Sequence, residues 1–196
     1  MDRTVEILSK TLALDSIFTV ERVTLRHRHY DGTMGEPILR LNLERGDSVA
    51  VLLHDRATDT IILTEQFRYS TYAKGPGWLL ELPAGGINPG EDPAAAARRE
   101  LVEETGYTLK AGSLRHISTF YVSPGGTSER IHLYYAAVTP QDRAGSGGGA
   151  AGEDEDIRVL VRSVNEALAQ IGDGTIQDAK TIIGLLWLQA YARAVS

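Results

Sequence analysis

Residues 85–107 read GGINPGEDPAAAARRELVEETGY, and they commit the chain to one short helix with its charge on one side. Asp92-Pro93 is a helix start, because an Asp side chain caps free N–H groups and Pro suits the first helical position. Ala94 to Ala97 favour helix. Gly106 is a natural stop, since it adopts the left-handed conformation after a last turn. The spacing therefore predicts a helix over about 93–105. At 100° per residue, Glu100, Glu103 and Glu104 fall on one arc of about 100°. Leu101, Val102, Ala94 and Ala95 lie opposite and are expected to pack onto a core. Like charges this close repel mildly. A divalent cation reverses that sign, and Mg²⁺ prefers hard oxygen ligands. Taken alone, an E-x-x-E-E run is ordinarily a solvated acidic face, and Arg99 reads equally as a surface charge.

The register of the flanking residues narrows the choice. Gly85, Glu91, Arg99, Glu100, Glu103, Glu104 and Gly106 follow G-x5-E-x7-R-E-[apolar]-x-E-E-x-G-[apolar], with Leu101 in the first apolar slot. This pattern resembles the Nudix box, the signature of hydrolases that cleave a nucleoside diphosphate linked to another group. The one soft departure is Tyr107, where an aliphatic residue is usual. The resemblance implies that Glu100 and Glu104 bind metal, that Glu103 belongs to the same cluster, and that Arg99 holds a carboxylate in place.

Composition sets outer limits. A chain of 196 residues with 42% hydrophobic side chains suits one domain, or one domain plus a small extension. A net charge of −6 argues against a general nucleic-acid binder. With no Cys there are neither disulfides nor thiolate metal sites, which fits a reducing cytoplasm. MDRTVEILSK lacks a signal-peptide core, and the longest apolar run, Thr181 to Leu188, is too short to span a bilayer. The expectation is a soluble cytoplasmic protein with no membrane and no nucleic-acid partner.

Residues 16–29 and 36–44 flank the turn signal Asp31-Gly32 and read as an antiparallel hairpin. Strands are expected at 48–54, 60–66, 78–82, 114–122, 130–138 and 157–162. Ser163 with Glu166 signals a helix over 164–171, and a last helix should cover about 179–194, with Asp178 near its cap. That helix, TIIGLLWLQAY, is apolar around much of its circumference. It packs either in its own core or partly against a second subunit. The mixture gives an α/β sandwich, a mixed sheet between helices. We divide it into an N-terminal β extension (1–44), expected in a dimer interface, and a Nudix hydrolase domain (45–196). RAGSGGGAAG (143–152) is flexible by composition and is read as a mobile loop.

Four further tracts carry chemistry. Glu153-Asp154-Glu155-Asp156-Ile157 follows the glycines; if extended, Glu153 and Glu155 project to one side. Such a run is ordinarily a solvated loop, yet a mobile loop can carry acidic groups over a bound substrate. The run is similar to G-E-x-E-D-I of the ADP-ribose pyrophosphatase branch, which implies Glu153 as catalytic base and Glu155 as a metal-linked group. SPGGTSER (123–130) resembles the same branch and is also a tight turn, with Pro-Gly-Gly permitting close backbone approach. The resemblance makes Ser123, Gly125 and Glu129 candidates for substrate contact. Glu65-Gln66-Phe67-Arg68 resembles E-Q-[apolar]-R, in which the Arg holds the substrate's phosphates, as a bidentate guanidinium can. WLLELPAG (78–85) resembles the run before the box, in which the carbonyl of the residue at Ala84 binds metal. Phe18, near the hairpin, is a candidate to stack on the base.

The likeness spans about Phe18 to Tyr191 and reaches two groups, bacterial ADP-ribose pyrophosphatases and GDP-mannose hydrolases. It implies Mg²⁺-dependent hydrolysis of a nucleoside diphosphate sugar, with Mn²⁺ as a possible substitute ion, by a homodimer. ADP-ribose, cleaved to AMP and ribose 5-phosphate, is favoured by SPGGTSER; GDP-mannose is the alternative, suggested by GGG before EDEDI. Two other classes stay open: removal of pyrophosphate from a nucleoside triphosphate, and a non-catalytic nucleotide-binding module.

Overall fold

The computed structural model describes residues 3–150, 152 and 155–192. It divides into two compact units: Met1–Asp47 with Tyr121–Arg130, and Ser48–Phe120 with Ile131–Ser196.

The first unit is built on three antiparallel strands in sequence order, β1 (Val5–Asp15), β2 (Thr19–His27) and β3 (Ile38–Glu44). The expected hairpin is the β2–β3 pair, in register through Thr24↔Leu39. Its connection turns at Asp31-Gly32, where the Thr33 N–H donates to Asp31 Oδ1 at 2.8 Å and Gly32 takes φ 89°. Strand β1 was not anticipated. Its apolar residues do not alternate cleanly: two irregularities in the pairing, at Ile7/Ser9 and Leu12/Leu14, blur the two-residue period that marks a strand. Nearly every side chain of β1 is exposed. The tract 121–130 joins this unit through Leu43, whose N–H donates to the Gly126 carbonyl at 2.8 Å.

The second unit is a seven-stranded mixed sheet. Its path is β10 (Arg158–Ser163), β5 (Thr60–Phe67), β4 (Ser48–Asp55), β9 (Arg130–Ala137) and β8 (Arg115–Tyr121). Short strands β6 (Trp78–Glu81) and β7 (Ala84–Gly86) attach to β5 and β4. β4 and β9 are parallel. All eight residues of β4, SVAVLLHD, are buried, as a strand covered on both faces should be. Alternation then splits the core into two layers. Ala50 and Leu52 pack with Leu82, Leu133, Ile176, Leu185 and Leu188. Val49, Val51 and Leu53 pack with Ala96, Ala97 and Leu101. So α2 (Pro93–Thr105) lies on one face, and α3 (Val164–Gly172) with α4 (Ala179–Ala192) on the other. This is the expected α/β sandwich. A one-turn helix, α1 (Tyr69–Tyr72), follows β5. α4 sits in its own core through Leu185 and Leu188, while Leu186 and Tyr191 are exposed. Among the described residues no helix is long and apolar enough to cross a membrane.

Candidate active site

Local chemistry sets both ends of α2. Asp92 Oδ1 accepts from the Ala95 N–H at 3.0 Å, Pro93 opens the helix, and Gly106 closes it at φ 73° with its N–H on the Val102 carbonyl. The buried strip differs from the expected one. Ala96, Ala97, Leu101 and Thr105 face the sheet, whereas Val102 is 48% exposed and Ala94 and Ala95 are only half-buried. Placing the apolar arc from Leu101 and Val102 together set it too far round. The true strip also contains Glu104, which is 4% exposed, so this carboxylate does not face out of the core as expected.

That burial brings Glu104 to the Ala84–Gly86 strand. The Ala84 N–H donates to Glu104 Oε2 at 3.0 Å. At Gly85 there is no room for a side chain: a Cβ there would lie 2.0 Å from Glu100 Cδ. The glycine is needed because a carboxylate occupies the space. Arg99 then ties the cluster together. Its Nε and Nη2 donate to Glu91 at 3.1 Å each, Nη1 to Glu100 at 2.7 Å and to Glu103 at 3.1 Å, and Nη2 to the Gly86 carbonyl at 2.9 Å. Glu91 also accepts the Asn88 N–H. The Arg99 guanidinium, with the Asn88 amide, holds the Glu91 carboxyl below its ordinary range.

The two inner carboxylates move the other way. Burial pushes Glu104 up to about 8, with the Glu100 and Glu155 charges adding to it and the Ala84 N–H and Arg68 opposing. Burial also raises Glu100, against the pull of Arg99. Acids held out of water beside like charges suit a hard divalent cation. The fit is physical: Glu100 lies in a cradle that a Cβ would fill, and Glu104 is buried with the Ala84 N–H, not a cation, as its hydrogen-bond donor among the described residues. Among the described residues the acidic side chains do not already converge as a ready-made cage of three. Each is drawn aside by a donor: Arg99 for Glu100 and Glu103, Ala84 for Glu104, and the Ala150 N–H for Glu155 at 3.1 Å.

Arg68, at the end of β5, is held by a buried charge array absent from the sequence reading. Its Nε donates to Glu81 at 2.8 Å, and Lys180 Nζ donates to the other Glu81 oxygen at 2.6 Å and to Asp178 at 3.0 Å. Glu81 and Lys180 are nearly inaccessible to water. Asp178 caps α4 through the Thr181 N–H and hydroxyl, and that hydroxyl donates no further than Asp178 while accepting the Leu82 N–H at 2.8 Å. The cap was legible; the partners across the fold were not, since Glu81 and Lys180 are 99 residues apart.

The glycine tract is not a loose loop as far as Gly149. Gly148 and Gly149 donate their N–H groups to the Glu104 and Glu103 carbonyls at 2.9 and 3.0 Å. Ala144 and Gly145 donate to the Gly106 carbonyl. Composition suggested flexibility, but these glycines satisfy the orphan carbonyls at the end of α2. Glu155 is bonded back to the tract through the Ala150 N–H. Glu153 lies outside the described residues.

The remaining candidates belong to the first unit. Phe18 sits in the turn between β1 and β2 with the Arg45 guanidinium 5.2 Å above its ring. The Ser123 carbonyl closes the turn by accepting from Gly126 and Thr127, and Gly125 lies in open space. Glu129 is buried and pairs with Arg45 at 3.6 Å.

A catalytic-type carboxylate helix on a mixed α/β sheet defines the class, and the comparisons name it. The NUDIX domain model matches residues 44–183. The chain belongs to the Nudix family. It is 38% identical over 185 residues to a GDP-mannose pyrophosphatase from Pectobacterium atrosepticum, covering 93% of each chain. It is 36% identical over 192 residues to the ADP-ribose pyrophosphatase of Escherichia coli K12, covering 97% of this chain and 90% of that one. Its fold matches a solved ADP compounds hydrolase at a TM-score of 0.73 with 22% identity, covering 97% and 95% of the two chains.

The raised Glu104 group makes a pH prediction. Its folded pKa of about 8 lies above the ordinary 4.5, so its contribution to stability is full below pH 4.5 and lost as pH rises through about 8. In the presence of chelator, the melting temperature should therefore decline across this window. Glu104→Gln should flatten the decline; an unchanged slope in the variant would rule out Glu104 as its source.

Proposed function

We propose that the protein hydrolyses the diphosphate bridge of a nucleoside diphosphate sugar, most favourably ADP-ribose to AMP and ribose 5-phosphate. Two carboxylates, the buried Glu104 and the half-buried Glu100, set against Ala84–Gly85, carry this reading. The enzymes named among its relatives support the substrate class. Glu100, Glu104, the Ala84 carbonyl and Glu155 would hold Mg²⁺, with Mn²⁺ as a substitute. When bound, the ion supplies charge neutralisation for the diphosphate and acidifies an attacking water. Arg99 acts as a positioning residue, keeping Glu100 and Glu103 in place. Arg68, with Nε committed to Glu81, would offer its terminal nitrogens to the substrate's phosphate oxygens. Glu153 takes the proton from water as general base, with Glu103 next in line. Phe18, Ser123, Gly125 and Glu129 are the family-derived candidates for substrate contact.

GDP-mannose remains the second reading, favoured by the 38% identity to a GDP-mannose pyrophosphatase. Product analysis with ADP-ribose, GDP-mannose and a nucleoside triphosphate tests the assignment. We expect AMP and ribose 5-phosphate and a higher kcat/KM for ADP-ribose. A preference for GDP-mannose would move the substrate and keep the reaction. Release of pyrophosphate from the triphosphate alone, or binding without turnover, would overturn the proposal.

The roles of the carboxylates separate kinetically. Glu104→Gln should lower activity at least about 100-fold, through lost charge stabilisation. Glu153→Gln should cut kcat by about 10²–10⁴, the value of a positioned base, with little change in Mg²⁺ affinity. Glu155→Gln should instead raise the Mg²⁺ requirement. A Glu153→Gln variant that keeps more than about a tenth of wild-type kcat would transfer the role of base to Glu103.

We also propose a homodimer in a cytoplasmic setting. Val5, Ile7, Leu12 and Leu14 of β1 are each more than half exposed (58, 56, 59 and 53%), a liability for an unpaired edge strand unless it is covered. Light scattering should give twice the chain mass of 21.3 kDa; a single-chain mass at micromolar concentration would contradict the dimer.

A further inference from the structure

We propose that Gly147–Gly149 is a backbone clamp that registers Glu155 against the carboxylate turn of α2, making these glycines positioning residues for metal binding. The inference rests on the proposal that Glu155 works with Glu100 and Glu104 on a divalent cation. Three observations carry it. First, the tract bonds to the very residues whose side chains form the cluster: Gly148 N–H to the Glu104 carbonyl and Gly149 N–H to the Glu103 carbonyl. Second, the backbone runs where only glycine fits. Gly147, Gly148 and Gly149 have φ of 69°, 113° and 110°. A Cβ on Gly147 would lie 2.3 Å from the Glu104 carbonyl oxygen, and one on Gly149 would lie 2.5 Å from Glu155 Cβ. Third, Glu155 and Ile157 are tied back to the tract. The Ile157 N–H donates to the Gly148 carbonyl at 3.3 Å, and the Ala150 N–H holds Glu155 Oε2 at 3.1 Å.

The consequence is geometric. The carbonyls at the end of α2 need partners in any case. By supplying them from the segment that leads to Glu155, the chain fixes the loop carboxylate relative to the helix carboxylates with two backbone bonds. A shift of the clamp would move Glu155 away from that cluster while leaving α2 and the sheet intact.

Gly149→Ala and Gly147→Ala test this, with Gly112→Ala as control. Gly112 shares the left-handed backbone at φ 81° but has nothing within 4 Å of its Cβ position, so it reports backbone strain alone. Mn²⁺ binding to the full-length protein is measured by electron paramagnetic resonance, beside the Mg²⁺ dependence of turnover and the melting temperature. Gly149→Ala should weaken Mn²⁺ binding about 10–100-fold, the range for groups that orient metal ligands, and raise the half-activating Mg²⁺ concentration in parallel. The KM for substrate at saturating Mg²⁺ should stay within about twofold of wild type, since the clamp acts through the cation site. Gly112→Ala should lower the melting temperature without moving Mn²⁺ affinity. Gly147→Ala guards against misfolding as the cause in one variant: both must weaken Mn²⁺ while retaining a cooperative melt. On a Glu155→Gln background, Gly149→Ala should add nothing further to the loss, because both act through one group. If Glu155→Gln weakens Mn²⁺ binding and the glycine variants do not, the clamp is wrong. If Glu155→Gln itself leaves Mn²⁺ binding unchanged, the underlying role of Glu155 is what fails.

Discussion

The structure turns on keeping mutually repelling carboxylates together at the end of one helix, two of them largely out of water. An uncompensated arrangement of this kind would be unfavourable twice over, through desolvation and through like-charge repulsion. The fold offsets it with a different donor for each acid. Arg99 spreads one positive charge over Glu91, Glu100 and Glu103, and its planar fork reaches all three because it lies in the same helix as two of them. Among the described residues Glu104 has a backbone amide as its donor, and burial without a stronger partner raises its pKa. The helix is therefore poised to take up positive charge, and the strongest demand sits at its most buried acid.

This arrangement needs a stiff support. β4, buried on both faces, supplies it: one layer of its side chains packs α2, while the other packs the layer containing α4. β7 hangs on β4 through Val49↔Gly85, which puts the Ala84 amide and the Gly85 cradle at a fixed height against the helix. Small residues make the approach possible. Ala96 and Ala97 let α2 lie close to the sheet, and Gly85 leaves space for Glu100. A larger residue at any of these would separate the carboxylates from the strand that partners them.

How much of this was legible in the sequence follows from the range of the forces. Asp92, Pro93, Gly106 and Ser163 act on neighbours within a turn, so the bounds of α2 and the start of α3 could be read from them directly. The register of Gly85, Glu91 and Arg99 likewise pointed to the carboxylate cluster. Interactions between distant segments were not legible. The tract 143–149 reads as flexible because glycine is flexible locally, yet here its φ values are selected by bonds to α2 some 40 residues earlier. Val102 was misplaced because a low-amplitude helical pattern, with four alanines in a row, leaves the buried direction poorly determined. β1 escaped notice because its apolar side chains point outward rather than into a core.

The same distinction explains why the partners of Arg68 could not be read from its motif. Its positive charge has a partner in Glu81, which is shared with Lys180, which is shared with Asp178. Signs alternate along this chain of contacts, so each buried charge meets its opposite and the array as a whole is neutral. Burial of such charges is tolerable only when the partners and hydrogen bonds are all in place. Lys180 is the link that makes Glu81 affordable in the interior, and burial there fixes the carboxylate in direction. A fixed carboxylate in turn fixes the Nε face of the Arg68 guanidinium, leaving its orientation set by α4 rather than by the flexible stem of the side chain. An arginine so held presents its terminal nitrogens in one direction, as a planar guanidinium fork with one edge committed must.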